Sequence, residues 1–266
     1  MNNLVIVGSG IKLGAHITVE AEAHICQADK VLFLATDDIF SEWIFSMNPQ
    51  SESLNHIYQT GKHRLSIYRN ICDKIIDELS NTKNLCVVFY GHPGVFVTPS
   101  HDSIRKARQL GHSAKMLPAI SAEDCLFADL LIDPGDVGCQ SFEATDFLLR
   151  ELMLNSNSHT VLWQIGCVGD LHANVNTNLS FEKPLTLIVN QLLNYYHPNW
   201  EILLYVAANS PAKSPFIKKL PLKTLNTVKP HRLATLYIPP IPTKYKEIGK
   251  EIIESLGIKA ELLKKI

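Results

Sequence analysis

The chain has 266 residues, 46% of them hydrophobic and 19% charged, with a formal net charge of -1. That balance is globular, and it lacks the clustered Lys and Arg that phosphate neutralisation needs, so nucleic acid is excluded as a partner. The length predicts two α/β lobes of roughly 120–140 residues each.

Six scattered cysteines, Cys26, Cys72, Cys86, Cys125, Cys139 and Cys167, show no metal-ligand spacing and sit mostly in apolar runs. This predicts buried free thiols in a reducing, cytoplasmic setting. The N-terminus has no basic n-region, and no apolar run is long enough to span a membrane.

Leu4-Val5-Ile6-Val7 predicts a buried strand entering the turn Gly8-Ser9-Gly10. Ile17, Ala21, Ile25 and Ala28 repeat at helical spacing, and Val31 to Leu34 is the next strand. Tyr68, Ile71, Cys72, Ile75, Ile76 and Leu79 form the stripe of a helix running from Arg64 to Leu79. Leu85 to Tyr90 is a strand, Ser100 to Leu110 a helix stopped by Gly111, and Ala114 to Leu117 a further strand. Ser121 with Asp124 has the form of a capping box that starts another helix.

The turn cluster Asp133-Pro134-Gly135-Asp136 divides an expected first lobe, 1–132, from a second, 133–242. In the second, Thr160 to Trp163, Ile202 to Val206 and Leu233 to Tyr237 are strands, and Leu185 to Tyr196 is a helix. An amphipathic helix with Ile248, Ile252, Leu256, Leu262 and Leu263 is expected in 243–266. Alternating strands and helices predict an α/β, two-lobed fold with largely parallel sheets.

Three constellations bear on chemistry. Gly8, Gly10 and Gly14, with Asp37-Asp38 beyond the next strand, lie one residue from the dinucleotide fingerprint. The extra residue favours a plain tight turn, with a nicotinamide-dependent dehydrogenase as the alternative. Next, the loops Tyr90-Gly91-His92-Pro93-Gly94-Val95-Phe96 and Pro118-Ala119-Ile120-Ser121-Ala122 each follow a strand. Both therefore reach the carboxyl edge of a parallel sheet, where α/β ligands bind, and together they predict a ligand crevice. The third is Tyr58, Arg64 and Tyr68. Arg64 prolongs the apolar stripe of its helix towards the start, an odd place for an unpaired charge. No His-Glu-x-x-His and no Gly-x-Ser-x-Gly occurs, so neither a zinc site nor a hydrolase elbow is expected; Trp163 reads as core.

The run YGHPGVFVTPS from Tyr90 to Ser100, with Met116 to Asp124 and Phe127 to Leu130, resembles the tetrapyrrole methylase superfamily. More specifically it is similar to the borosin peptide backbone N-methyltransferases, since other tetrapyrrole methylases usually carry Gly-Asp-Pro where Gly91-His92-Pro93 stands here. The resemblance implies a cleft between two lobes that binds S-adenosylmethionine. Tyr90, His92, Val95 and Phe96 would line the pocket, Ser121 and Ala122 would meet the methionine part, and Gln164, Ala234 and Thr235 would approach from the second lobe. It also implies that Tyr58, Arg64 and Tyr68 surround a target amide, and that the protein is a homodimer.

Methylating a resonance-stabilised peptide nitrogen needs a base and a positive partner for the amide oxygen, away from water. Tyr58 or Tyr68 would serve as base, with Arg64 favouring the phenolate and stabilising charge. Only one helix follows Pro242 before Ile266, so the peptide is expected on a separate chain. A small-molecule methyltransferase of the same superfamily and a non-catalytic peptide-binding module are the remaining alternatives.

Overall fold

The computed structural model describes residues 1–58, 61–150, 152–170, 172, 181–242 and 248–257. The first sheet contains β1 (Asn3–Gly8), β2 (Lys30–Phe33), β3 (Ser51–Ser53), β4 (Asn84–Phe89) and β5 (Ser113–Met116). Between its strands, and after the last, come α1 (Val19–Gln27), α2 (Asp38–Met47), α3 (Arg64–Asn81), α4 (Thr98–Gln109) and α5 (Ala122–Leu130). The strand order is β3-β2-β4-β1-β5 and every pairing is parallel.

Successive strand residues point to opposite faces, so a strand buried on both sides must be apolar throughout. Leu4, Ile6, Leu85 and Val87 pack under α3 and α4 with Ile67, Ile71, Ile75 and Ile104. Val5, Val7, Cys86 and Val88 pack under α1 and α2 with Ala21, Ile25, Phe40 and Ile44. The Ser121–Asp124 capping box is present at the start of α5. Neither α2 nor β3 was expected. Asp37 turns out to cap α2, accepting the Phe40 N–H at 2.8 Å.

The second sheet takes β6 (Cys139–Glu143), β7 (His159–Trp163), β8 (Glu201–Val206), β9 (Phe216–Pro221) and β10 (Thr235–Ile238). Helices α6 (Ala144–Leu149) and α7 (Glu182–Leu192) accompany them. Its order is β6-β7-β10-β8-β9, and only β6 with β7 is parallel; β7–β10, β10–β8 and β8–β9 are antiparallel. The expected parallel pairing therefore holds for the first sheet and not for the second. The connection from β8 to β9, residues 207–215, carries no helix, and a parallel neighbour would need a longer crossover.

One face of the second sheet is covered by Phe147 of α6 and Leu185, Ile188 and Leu192 of α7. The other face, with Val161, Trp163, Leu203, Tyr205 and Tyr237, packs on Cys125 and Leu126 of α5. Helix α5 thus belongs to both lobes, and the Tyr205 hydroxyl donates to its Asp129 at 2.6 Å. The final helix α8 (Ile248–Ser255) is observed, with Ile252 and, just beyond it, Leu256 exposed. Leu262, Leu263 and the Ile248 side chain lie outside the described residues. No described helix is long and apolar enough to cross a membrane.

The turn after β1 is built for close packing. A Cβ on Gly8 would stand 2.1 Å from the Gly91 carbonyl oxygen and 2.6 Å from the Ala119 Cβ. Gly10 and Gly91 exchange backbone hydrogen bonds at 3.3 and 3.1 Å. Helix α1 starts only at Val19, capped by Thr18, so the glycines do not lead directly into a helix N-terminus as a dinucleotide turn requires. Asp37 is committed to its own cap, which removes the expected ribose acid as well.

Gly8→Ala should therefore destabilise the fold by about 3 kcal/mol, the upper end of overpacking effects. Gly14→Ala, with φ +70° but open space around the new Cβ, should lose only about 1–2 kcal/mol. Urea unfolding of the two variants checks the ranking, and equal losses would contradict it.

Candidate active site

The loops after β1, β4 and β5 reach the carboxyl edge of the first sheet, and the second lobe stands over them. Between them lies a cavity of about 510 Å³. Of the twelve residues singled out from the sequence, Tyr58, Arg64, Tyr68, Tyr90, His92, Val95, Phe96, Ser121, Ala122, Gln164 and Thr235 line it. Ala234 does not. Its side chain packs in the second lobe's core, its N–H donates to the His231 carbonyl, and its carbonyl accepts from Ile165.

The β4 loop is braced from within. The Gly94 N–H donates to His92 Nδ1 at 2.9 Å, which leaves Nε2 to carry the proton of a neutral ring. His101 on α4 bonds to the Gly94 carbonyl at 2.9 Å. Gly91 has φ 71°, and the loop then places Phe96 at φ 56°, a left-handed conformation that L side chains rarely adopt. Gln164, at the end of β7, also has φ 58°. Strain at both therefore falls on cavity-lining residues, where it persists because the surrounding structure over-determines it.

Ser121 lines the cavity, but its hydroxyl already accepts from Glu123 and Asp124 N–H and donates to the Asp124 carboxylate at 2.7 Å. Its side chain fixes the start of α5 rather than offering a free hydroxyl. The Ala122 N–H has no partner among the described residues and opens the positive end of the helix.

At the other end, Arg64 extends from the first turn of α3 across the cleft and donates to Gln164 Oε1 at 3.3 Å. A bridge between His63 and His172 runs beside it. Tyr58 sits next to Tyr68 and Arg64. Its ring is partly open to solvent, at 36% exposure, but burial of the hydroxyl raises the phenol well above its ordinary range. Tyr68 raises it further, and the Arg64 guanidinium opposes without prevailing. The direction is opposite to the one expected from Arg64 alone: desolvation outweighs the arginine and favours the protonated phenol. Tyr90 is likewise pushed up to about 12, chiefly by burial.

Sequence reasoning left out Ile11, Trp163, Cys167, His172, Val206, Ala207, Arg232 and Leu233, which complete the lining. Trp163 was read as core. It is 6% exposed, donates its indole N–H to Ser141, and lies 5.7 Å from the Phe96 ring between centroids. Its place at the end of a strand, beside Gln164, was the available signal. Arg232 sits in a loop without periodicity, and nothing in the sequence pointed to it. Among the described residues, no three His, Cys, Asp or Glu side chains gather as a metal site.

The profile of the Tetrapyrrole (Corrin/Porphyrin) Methylases matches residues 3–168. The chain is 38% identical over 258 residues to a Dendrothele bispora protein described as a methyltransferase and ribosomally synthesized cyclic peptide dendrothelin A precursor; the match covers 96% of this chain and 61% of that protein. It is 37% identical over 260 residues to the corresponding omphalotin A precursor of Omphalotus olearius, again covering 96% and 61%. A type III borosin cyclic peptide precursor of Anomoporia bombycina is 41% identical over 243 residues, 89% of this chain and 28% of that protein. The chain thus spans less than two thirds of the length of these relatives. Among solved structures, a diphthine synthase aligns over the whole of both chains with TM-score 0.65 at 14% identity. The uroporphyrin-III-C-methyltransferase of Thermus thermophilus aligns with TM-score 0.63 at 15% identity, covering 90% of this chain and 94% of that one. These two show the fold alone.

A phenol whose folded pKa lies above its unfolded value keeps its proton longer when folded. Its contribution to stability is full below the ordinary value near 10 and is lost as pH rises past it. Unfolding free energy should therefore fall as pH climbs above about 10, and Tyr58→Phe with Tyr90→Phe should make that fall shallower. Urea titrations across this range check it, and an unchanged slope in the double variant would contradict the assignment.

Proposed function

The chain belongs to the tetrapyrrole (corrin/porphyrin) methylases, and from that premise we propose that it transfers the methyl group of S-adenosylmethionine to backbone amide nitrogens of a peptide. The observation that carries the proposal is the meeting, in one cavity, of the glycine-rich loops with Tyr58, Arg64 and Tyr68. The similarity to methyltransferase and cyclic-peptide precursors supports the acceptor class. In those relatives the precursor and the methyltransferase are described as one protein. The proposal here includes repeated methylation, a peptide supplied on a separate chain and, as the resemblance in sequence implies, a homodimer.

The lining fits the cofactor. A cavity of about 510 Å³ lies in the range of small-molecule sites, roughly 300–1,000 Å³. Val95, Phe96 and Trp163 give apolar walls, and the left-handed turn at Gly91 brings backbone close without a side chain. The Ala122 N–H suits the methionine carboxylate. When bound, S-adenosylmethionine supplies a methyl group on a sulfonium, which needs in-line placement more than activation.

The acceptor amide is activated by the protein. Arg64, oriented by Gln164, faces the amide oxygen and stabilises the negative charge that develops there. Tyr58, held protonated, donates to the same oxygen. Tyr68 would act as its phenolate, taking the proton from nitrogen at Oη to become the neutral phenol; the freed nitrogen lone pair would then bond the methyl carbon as the carbon's bond to sulfur breaks. The second lobe covers this end and limits water.

Tyr68→Phe and Arg64→Ala should each slow single-turnover methylation on the order of 10²–10³, with cofactor affinity by calorimetry unchanged. Arg64→Lys should recover part of the rate, because the charge remains and the planar fork is lost. Normal rates in Tyr68→Phe would remove that residue from the chemistry. Absent binding of S-adenosylmethionine to the wild-type chain would remove the cofactor assignment.

A further inference from the structure

Arg232 enters the cavity from the loop before β10, on the second lobe. Its backbone is pressed against the turn after β7. A Cβ on Gly166 would stand 2.0 Å from the His231 carbonyl oxygen and 2.9 Å from the Arg232 Cα. The Cys167 thiol donates to the Arg232 carbonyl at 3.4 Å. The same turn begins at Gln164, the residue that receives Arg64. Two guanidinium groups therefore belong to one end of the cavity.

Behind Arg232 lies Asp170. The Asp170 side chain is 4% exposed, its Oδ1 accepts the His172 N–H at 2.9 Å, and its Oδ2 has no hydrogen-bond partner among the described residues. That oxygen stands 3.9 Å from Arg232 Nη2, too far for a hydrogen bond and near enough for charge attraction. The Arg232 side chain is 40% exposed, and its guanidinium makes no hydrogen bond to a described residue. Its donors are aimed by a buried negative charge, and no described residue takes them.

We propose that Arg232, positioned by Asp170, grips main-chain carbonyl oxygens of the acceptor peptide flanking the nitrogen to be methylated. This rests on the peptide reading above and adds how the peptide is held. Methylation deletes a peptide N–H and leaves the carbonyl intact. An enzyme that held its acceptor by N–H groups would lose its grip with each turnover, whereas one that held carbonyls would keep it. The groups at this end fit the second case. Arg64, Arg232 and the protonated Tyr58 are donors, Tyr68 serves the target nitrogen alone, the Gln164 oxygen is already taken by Arg64, and the Asp170 carboxylate is behind Arg232. A planar guanidinium can serve one carbonyl with two N–H groups or two carbonyls at once. Arg232 is a positioning residue here, and Asp170 acts through it.

The test uses the full chain with S-adenosylhomocysteine bound. The probe is the precursor segment of the Dendrothele bispora relative, made as a separate peptide in unmethylated and backbone N-methylated forms. Wild type should bind the two forms with affinities within about 3-fold. Arg232→Gln should raise peptide Kd and KM by about 10-fold or more for both forms, as loss of a charged hydrogen bond does. S-adenosylhomocysteine affinity and the single-turnover rate at saturating peptide should stay within about 3-fold. Arg232→Lys should recover part of the KM, and Asp170→Asn should raise KM in the same direction by less. Unchanged peptide Kd in Arg232→Gln overturns the proposal and leaves the peptide reading standing. Loss of S-adenosylhomocysteine affinity alone overturns it by assigning Arg232 to the cofactor. A wild-type chain that binds cofactor but neither binds nor methylates the peptide overturns both.

Discussion

Backbone meets backbone at the carboxyl edge of the first sheet, between Gly8, Gly10 and Gly91, and no side chain can stand between them. This contact fixes how the loops after β1, β4 and β5 lie against one another. The loops in turn set the floor of the cavity and the start of α5. Because α5 packs its Cys125 and Leu126 against the second sheet, the floor also determines where the roof sits. A steric requirement at one glycine is thus carried through one helix to the spacing of the lobes.

Electrostatics is concentrated at the opposite end. Arg64 spans the lobes to Gln164, and Tyr58 keeps its proton because burial outweighs the neighbouring guanidinium. The left-handed conformations of Phe96 and Gln164, each unfavourable by about 1–3 kcal/mol, lie along the same cavity. Their strain is held in place by contacts such as the Phe96–Trp163 ring pair and the Arg64 hydrogen bond. Stability given up at these positions sets the direction in which Gln164 meets Arg64.

What could be read from sequence follows from which interactions are local. The apolar strands of the first sheet, the α3 stripe and the Ser121–Asp124 box are written in short windows and appear as expected. The antiparallel pairing of the second sheet is not, because strand direction depends on how loops return the chain. Asp37 was ambiguous between a cap and a ribose ligand, and only the presence of α2 decides it. Residues of the β4 and β5 loops were found because they follow strands at a ligand-binding edge. Arg232 and Ala234 show the limit: one joins the cavity and the other the core, although they are two residues apart on one short segment.

The central claim is that the cleft delivers a methyl group to peptide nitrogen, and the product itself tests it. The wild-type chain would be incubated with S-adenosylmethionine labelled in its methyl group and with the Dendrothele bispora precursor segment, and the peptide then fragmented in a mass spectrometer. Label on backbone nitrogens, accumulating far more slowly when Tyr68→Phe replaces the wild type, is the predicted result. Label confined to side chains, or no label on a peptide that binds the cofactor-loaded chain, would contradict the account.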